Sequence, residues 1–197
     1  MSNAVKQQKD NIMQSRKSLP SAEYLRQILN YDPDTGEFFW KPRPESDFKL
    51  KSHWVTWINN YENKNAGTIK RGDGGHKYYI IGINRKTYRA HRIAWKLMYN
   101  DDPIELIDHI DGNGLNNAIG NLRIANDHLN GANSKISKNN KSGFKGVCWD
   151  KAKKKWLAQI TVKRKKIHIG RYDKAEDAHH AYCEAAKKHF GEYARLK

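Results

Sequence analysis

The sequence predicts an α+β chain of two modules joined by a short linker. Three observations carry this expectation. Short period-two stretches alternate with helical-period stretches along residues 20–133, and a Ser/Asn/Lys-rich run over 134–142 has no hydrophobic period. Beyond that run, the last 55 residues read as three strands followed by one helix. With 197 residues, 38% of them hydrophobic and 11% aromatic, the chain is lean for one large core but adequate for two small ones.

Residues 1–19 are polar and aperiodic, and are expected to form a flexible tail without a secretory signal. From Pro20, the residues Tyr24, Leu25, Ile28 and Leu29 fall at helical spacing. Asp32-Pro33-Asp34-Thr35-Gly36 then makes a turn, and Glu37–Trp40 resumes as a short strand. Residues 41–65 show no usable period despite Trp54 and Trp57. Strands are expected at 66–70, 78–83 and 87–90, with Asn84-Arg85 turning the second into the third. Residues 90–99 switch to a helical period that places Ile93, Ala94, Leu97 and Met98 on one face.

After the linker, strands are expected at 144–149, 156–163 and 166–172. The middle one separates Trp156, Ala158, Ile160 and Val162 from Leu157, Gln159 and Thr161, so a covering helix buries the first set and leaves Gln159 and Thr161 outward. Asp173-x-x-Glu176 has the form of a capping box for a helix running to Phe190. That helix should bury Ala175, Ala178, Tyr182, Ala185, Ala186 and His189, and stop at Gly191. Trp149 and Trp156 are expected in the core.

Charge indicates the partner. The chain carries a formal +16, of which residues 134–197, with 18 basic and 6 acidic side chains, hold +12. A segment this basic attracts a polyanion through counterion release. No apolar run approaches the ~18 residues of a membrane span, and no basic amphipathic helix offers a membrane-binding face. Nucleic acid is therefore the expected partner. The only two cysteines, Cys148 and Cys183, form no C-x-x-C pair, which fits a reducing compartment and argues against a cysteine zinc site.

The candidate chemistry lies in a segment dense in Asp, His and Asn. It runs from Asp108-His109-Ile110-Asp111-Gly112-Asn113 through Asn116-Asn117 and Asn121-Leu122-Arg123 to His128-Leu129-Asn130. Phosphodiester hydrolysis needs a group that takes a proton from water, a hard cation on the phosphate, and an offset for the charge on the leaving oxygen. His109 suits the first because an imidazole titrates near neutrality. Asp108 and Asn130 offer hard oxygen donors suited to Mg²⁺, with Mn²⁺ also acceptable. A polar turn is the competing reading of Asp108–Asn113 alone. A calcium loop is disfavoured, because the twelfth position from Asp108 is Ile119 rather than Glu.

Asp-His, a later Asn-Leu and an Asn nine residues beyond it resemble the HNH (ββα-metal) nuclease motif, in the branch of phage homing endonucleases where Asn replaces the final His. Tyr88–Trp95 and Tyr31–Phe38 resemble the segments that precede it, so the likeness spans about residues 20–133. The resemblance implies Asp108 and Asn130 as metal ligands and His109 as general base. Asn121 would be the middle Asn that braces the loop and orients the histidine. His91, Asn117 and His128 are weaker candidates. The cysteine pairs that hold structural zinc in some HNH proteins are absent, so no zinc and no small-molecule cofactor are expected.

Ser142–Val147, Trp156–Ile160, Ile167–Asp173 and Ala175–Tyr182 resemble, in order, the four blocks of the Apetala-two/ethylene-response-factor DNA-binding domain, covering nearly all of residues 142–194. That likeness implies a sheet that enters the major groove. Lys145, Cys148, Asp150, Thr161, Lys166 and His168 match its contact positions, and Gln159, Lys163 and Arg164 join them on the open face and the hairpin turn. Cys148 and Asp150 cannot make the bidentate guanine contact of an arginine, so a different sequence preference, or none, is expected.

Together the resemblances imply a phage homing endonuclease acting on double-stranded DNA in a bacterial cytoplasm. It would leave 5′-phosphate and 3′-hydroxyl ends and act as a monomer or weak dimer. The rival is a DNA-binding regulatory protein with a dead HNH segment. The modules are then residues 20–133 and 143–197, with 134–142 as linker.

Overall fold

The computed structural model describes residues 18–72, 75–137 and 139–196, apart from the side chains of Asp127 and His128. Most of the expected tail therefore lies outside the described residues. Leu19 is buried, and its N–H donates to Asp102 Oδ2 at 3.3 Å. The fold is α+β and divides into two compact units, Met1–Ile124 and Ala125–Lys197.

In the first unit, α1 (Ala22–Ile28) is capped by Ser21, whose hydroxyl accepts from Tyr24 N–H. It leads into β1 (Leu29–Tyr31), which pairs antiparallel with β2 (Phe38–Trp40). Next comes α2 (Lys51–Tyr61), in the stretch where the sequence offered no period. It has no fully buried residue. Its hold is aromatic instead: Trp57 lies against Trp40, Phe48 and Tyr61 with ring centroids 6.0–6.5 Å apart, and Trp54 Nε1 donates to Arg43 O. A helix anchored by a few rings shows no aliphatic stripe to read.

β3 (Thr68–Arg71), β4 (Lys77–Ile83) and β5 (Lys86–Arg89) form an antiparallel sheet. Asn84 and Arg85 both take positive φ in the β4–β5 turn, the geometry that matches strand twist. α3 (Ala90–Tyr99) occupies the predicted span and buries Ala90, His91, Ile93, Ala94 and Leu97. Met98, expected on the same face, is 44% exposed. Leu25, Leu29, Ile81 and Ile93 lie at the centre of this unit's core. β6 (Leu106–His109) pairs with β7 (Leu122–Ala125) across a polar loop.

The second unit begins near α4 (Asp127–Ala132). Leu129 and Ala132 of this helix join a core with Ile160, Tyr182, Ala186 and Phe190, and Arg195 N–H donates to Ala132 O. β8 (Val147–Asp150), β9 (Lys155–Val162) and β10 (Lys165–Tyr172) form an antiparallel sheet packed on α5 (Ala175–Phe190). Lys163 and Arg164, both at positive φ, turn β9 into β10.

Three local expectations need correction. No side chain caps α5: its N-cap is Lys174, and Asp173 instead pairs with Lys155 at 3.1 Å. His189 is exposed and Phe190 fills the core position, because the core turns with the helix toward Tyr193 and Leu196. Trp149 is 47% exposed, at the sheet edge beyond the helix, with its ring edge against Trp156.

Candidate active site and nucleic-acid interface

Adjacent strand residues point to opposite faces, so β6 sends Asp108 and His109 different ways. Asp108 is 5% exposed and meets Arg123 on the paired strand, whose Nε and Nη2 donate to Oδ2 at 3.0 and 2.9 Å. An ion pair this buried persists only because both charges are matched.

His109 is half-buried, and its Nε2 lies 3.3 Å from Asn117 Oδ1. The amide of Asn117, 1% exposed, is oriented by its own Nδ2, which donates to Leu115 O. Its Oδ1 can only accept, so the contact makes Nε2 the protonated nitrogen and leaves Nδ1 as the basic one. Burial pushes His109 below its ordinary value of 6.5, against the raising effect of Asn117, Asp111 and Asp108. The ring stays neutral at physiological pH.

The loop that returns from β6 to β7 is cross-braced. Asn121 Oδ1 accepts from Asp111 N–H, while its Nδ2 donates to Asp111 Oδ1 and Asn116 O. Asp111 also accepts from Asn113 N–H and Asn116 Nδ2. Burial alone would raise the Asp111 carboxyl, but these donors outweigh it and hold the group below its ordinary value. Asn121 thus ties the start of the loop at Asp111 to its far end.

His91, the second residue of α3, stands edge-on to His109 with ring centroids 5.1 Å apart. It is 6% exposed, and its Nδ1 is buried without a hydrogen-bond partner among the described residues. Sequence reasoning could not see this juxtaposition, since the two histidines come from separate elements. Burial, then the neighbouring His109, Arg89 and Arg92, hold His91 well below 6.5.

Both histidines bind protons more weakly in the folded chain, so their contribution is intact above the unfolded value of 6.5 and is lost as pH falls through the folded values. The melting temperature should drop as pH is lowered from about 7 toward about 5, and His91→Leu should flatten that slope. A slope identical in both proteins would assign the acid sensitivity elsewhere.

Asn130 lies exposed on α4 in the second unit, and that helix is capped by Asn126 Oδ1 accepting from Leu129 N–H. The His128 side chain lies outside the described residues. Among the described residues, no three His, Cys, Asp or Glu side chains converge as a metal-ligating group. By type alone, a carboxylate such as that of Asp108 and an amide oxygen such as that of Asn130 are hard donors of the kind Mg²⁺ takes.

The basic module presents an open sheet face. Ala158 and Ile160 are buried under α5, while Gln159 is half-buried and Thr161, Lys166 and His168 lie outward across the register Thr161↔Lys166 and Gln159↔His168. Lys163 and Arg164 lie exposed in the turn. Cys148, on the same face, accepts from Gln159 Nε2 at 3.7 Å.

Two positions on this module were not legible from spacing. The register shifts between His168 and Gly170, so Arg171 joins the outward face, opposite Leu157, where simple alternation would have turned it inward. There its guanidinium holds Asp150 at 2.9 Å and keeps that carboxyl below its ordinary value. Lys145, expected against DNA, has its ammonium against the carbonyls of Ala132, Ser134 and Arg195. Burial, with Arg195 nearby, pulls it down to about 8.

The chain matches two protein families in the order the sequence implied: HNH endonuclease over residues 88–132 and AP2 domain over residues 142–192. The first match contains β6, β7 and α4, and the second contains the three-stranded sheet and α5. The protein thus combines a nuclease-type domain with a DNA-binding-type domain. It is 35% identical over 113 residues to Protein 3.8 of Escherichia phage T7, covering 57% of this chain and 93% of that protein. The chain belongs to the same family as that phage protein. No solved structure matches it. Among the described residues, no helix is long and apolar enough to cross a membrane.

Proposed function

We propose that this protein is an HNH-type DNA endonuclease that hydrolyses phosphodiester bonds in double-stranded DNA with His109 as general base. The observation that carries this reading is the Asn117–His109 contact. It protonates Nε2 and leaves Nδ1 basic, and burial keeps the ring neutral. A neutral imidazole with one defined basic nitrogen is what deprotonation of an attacking water requires.

Asp108 and Asn130 would hold a single Mg²⁺, with Mn²⁺ as substitute and no zinc. Bound there, the cation would act as Lewis acid on the scissile phosphate and offset charge on the 3′ oxygen. Asn121 keeps the loop closed so that His109 faces the substrate. Arg123 holds the Asp108 carboxylate toward its strand partner. The products would be 5′-phosphate and 3′-hydroxyl ends.

The C-terminal sheet would supply affinity. Lys166, His168, Thr161, Gln159 and the exposed Lys163–Arg164 turn face outward on a segment of net +12. Phosphate contacts from this surface position the duplex, and the side chains at its centre reach base edges. A phage relative fits a phage origin, and we extend the reading to a homing endonuclease that works in the cytoplasm of a bacterial host, as a nicking monomer or a weak dimer.

The test is supercoiled plasmid incubated with the protein and Mg²⁺. Conversion to open circle or linear DNA, abolished by EDTA, is the expected result. Retardation of the plasmid without cleavage, with Mg²⁺ and with Mn²⁺, would instead establish a DNA-binding protein whose HNH segment is inactive.

A further inference from the structure

We propose that the Tyr31–Gly36 turn, far from the HNH motif in sequence, is a positioning element for His109 that acts through the backbone of Asn117. The proposal rests on His109 being the general base.

Asn117 sits in a loop without strand or helix pairing, yet it is almost fully buried. Its side chain orients His109. Its backbone is gripped by the turn between β1 and β2. Tyr31 Oη donates to Asn117 O at 2.8 Å, and Ile119 N–H donates to Pro33 O at 2.9 Å. Between these bonds Gly36 lies flat on the chain. A Cβ at Gly36 would stand 2.2 Å from Ala118 N and 2.3 Å from the Asn117 carbonyl carbon. Three consecutive residues, 117 to 119, are thus pressed against one turn.

The turn is stiff enough to act as a jig. Asp32 Oδ1 accepts from Asp34 and Thr35 N–H, and Gly36 N–H donates to Asp32 O at 2.8 Å. Across the two strands, Tyr31 and Phe38 stack with centroids 4.6 Å apart. Burial, with Asp32 beside it, holds the Tyr31 phenol above its ordinary value, so it remains a donor throughout the working pH range.

A base works only if it is held close to its productive geometry, and holding a side chain means holding the backbone that carries its partner. The Asn116 carbonyl is held locally by Asn121 Nδ2, whereas the Asn117 carbonyl is held by the turn, from 86 positions away.

Tyr31→Phe tests this, because it keeps the stacked ring and removes only the hydroxyl. In the full-length protein, kcat for plasmid cleavage should fall about tenfold, the equivalent of one buried hydrogen bond, while KM stays unchanged. Nitrogen-15 NMR of the metal-free protein should show His109 moving from one tautomer, Nε2–H, to a mixture. Gly36→Ala should lower kcat further, but it can also unfold the unit, so Tyr31→Phe decides. An unchanged kcat with an unchanged His109 tautomer would make the turn a structural feature only. If His109→Ala cleaves like wild type, the base assignment fails, while the NMR spectra still report whether the turn controls the His109 ring.

Discussion

His109→Ala is expected to lower Mg²⁺-dependent cleavage by about 10²- to 10⁴-fold, the usual contribution of a positioned general base. Affinity for DNA should be nearly unaffected. The side chain removed is a neutral imidazole, whereas phosphate attraction comes from a separate segment of net +12. Loss of cleavage with retained gel retardation is the result that matches the assignment.

The pH profile gives a second reading of the same residue. Burial depresses His109 below 6.5, so the basic form persists to lower pH than for a solvent-exposed histidine. Cleavage should therefore hold level through neutrality and fall only on the acid side of about 6.5, as Nδ1 takes up a proton. A variant that still cleaves at the wild-type rate would remove His109 from the mechanism. Glutamine is a useful second replacement, since it retains polarity without titrating.

Gly146→Ala is expected to have the largest effect on stability. Gly146 has φ +77°, where a side chain costs about 1–2 kcal/mol. Its added Cβ would also fall 2.0 Å from Tyr182 Cδ2 and 2.4 Å from Cε2. Tyr182 is 5% exposed within the core of the basic module and cannot simply swing away. Overpacking of this kind adds about 1–3 kcal/mol, giving a total loss of about 2–5 kcal/mol.

Thermal denaturation should show a transition shifted down by many degrees, and DNA retardation should fail before the temperature at which the wild type lets go. Gly146→Ala combined with Tyr182→Leu should recover the steric part and leave the backbone part. An unchanged melting curve for the single variant would mean that the ring and the turn relax together, contrary to the tight fit of the native core.

How much of this was legible depended on the distance over which each cause acts. The α3 span, 90–99, was readable because its apolar period is local and uninterrupted. The turns at Asn84-Arg85 and Lys163-Arg164 were readable from the strands on either side. Helix α2 was not, because Trp57 is anchored by rings that come from Trp40 and Phe48, and Trp54 by the carbonyl of Arg43. The outward turn of Arg171 depends on one register shift that no alternation rule anticipates.

The candidate site divides in the same way. The residue types and spacing of Asp108, His109, Asn121 and Asn130 are properties of the chain, and they sufficed to suggest the chemistry. The loop brace by Asn121 is nearly local as well, spanning ten positions to Asp111. The partnership of Asp108 with Arg123, the edge of His91 against His109 and the grip of Tyr31 on Asn117 join distant segments. So does the capture of the Lys145 ammonium by three carbonyls.

By itself, then, the sequence determined the two-module α+β plan, the polyanion partner and the identity of the candidate catalytic groups, because composition, period and motif spacing are one-dimensional quantities. Only the tertiary structure decided which nitrogen of His109 faces Asn117, which carbonyls take up the Lys145 ammonium and which turn grips the Asn117 backbone. Each of those depends on burial and on hydrogen-bond partners that folding alone brings within reach.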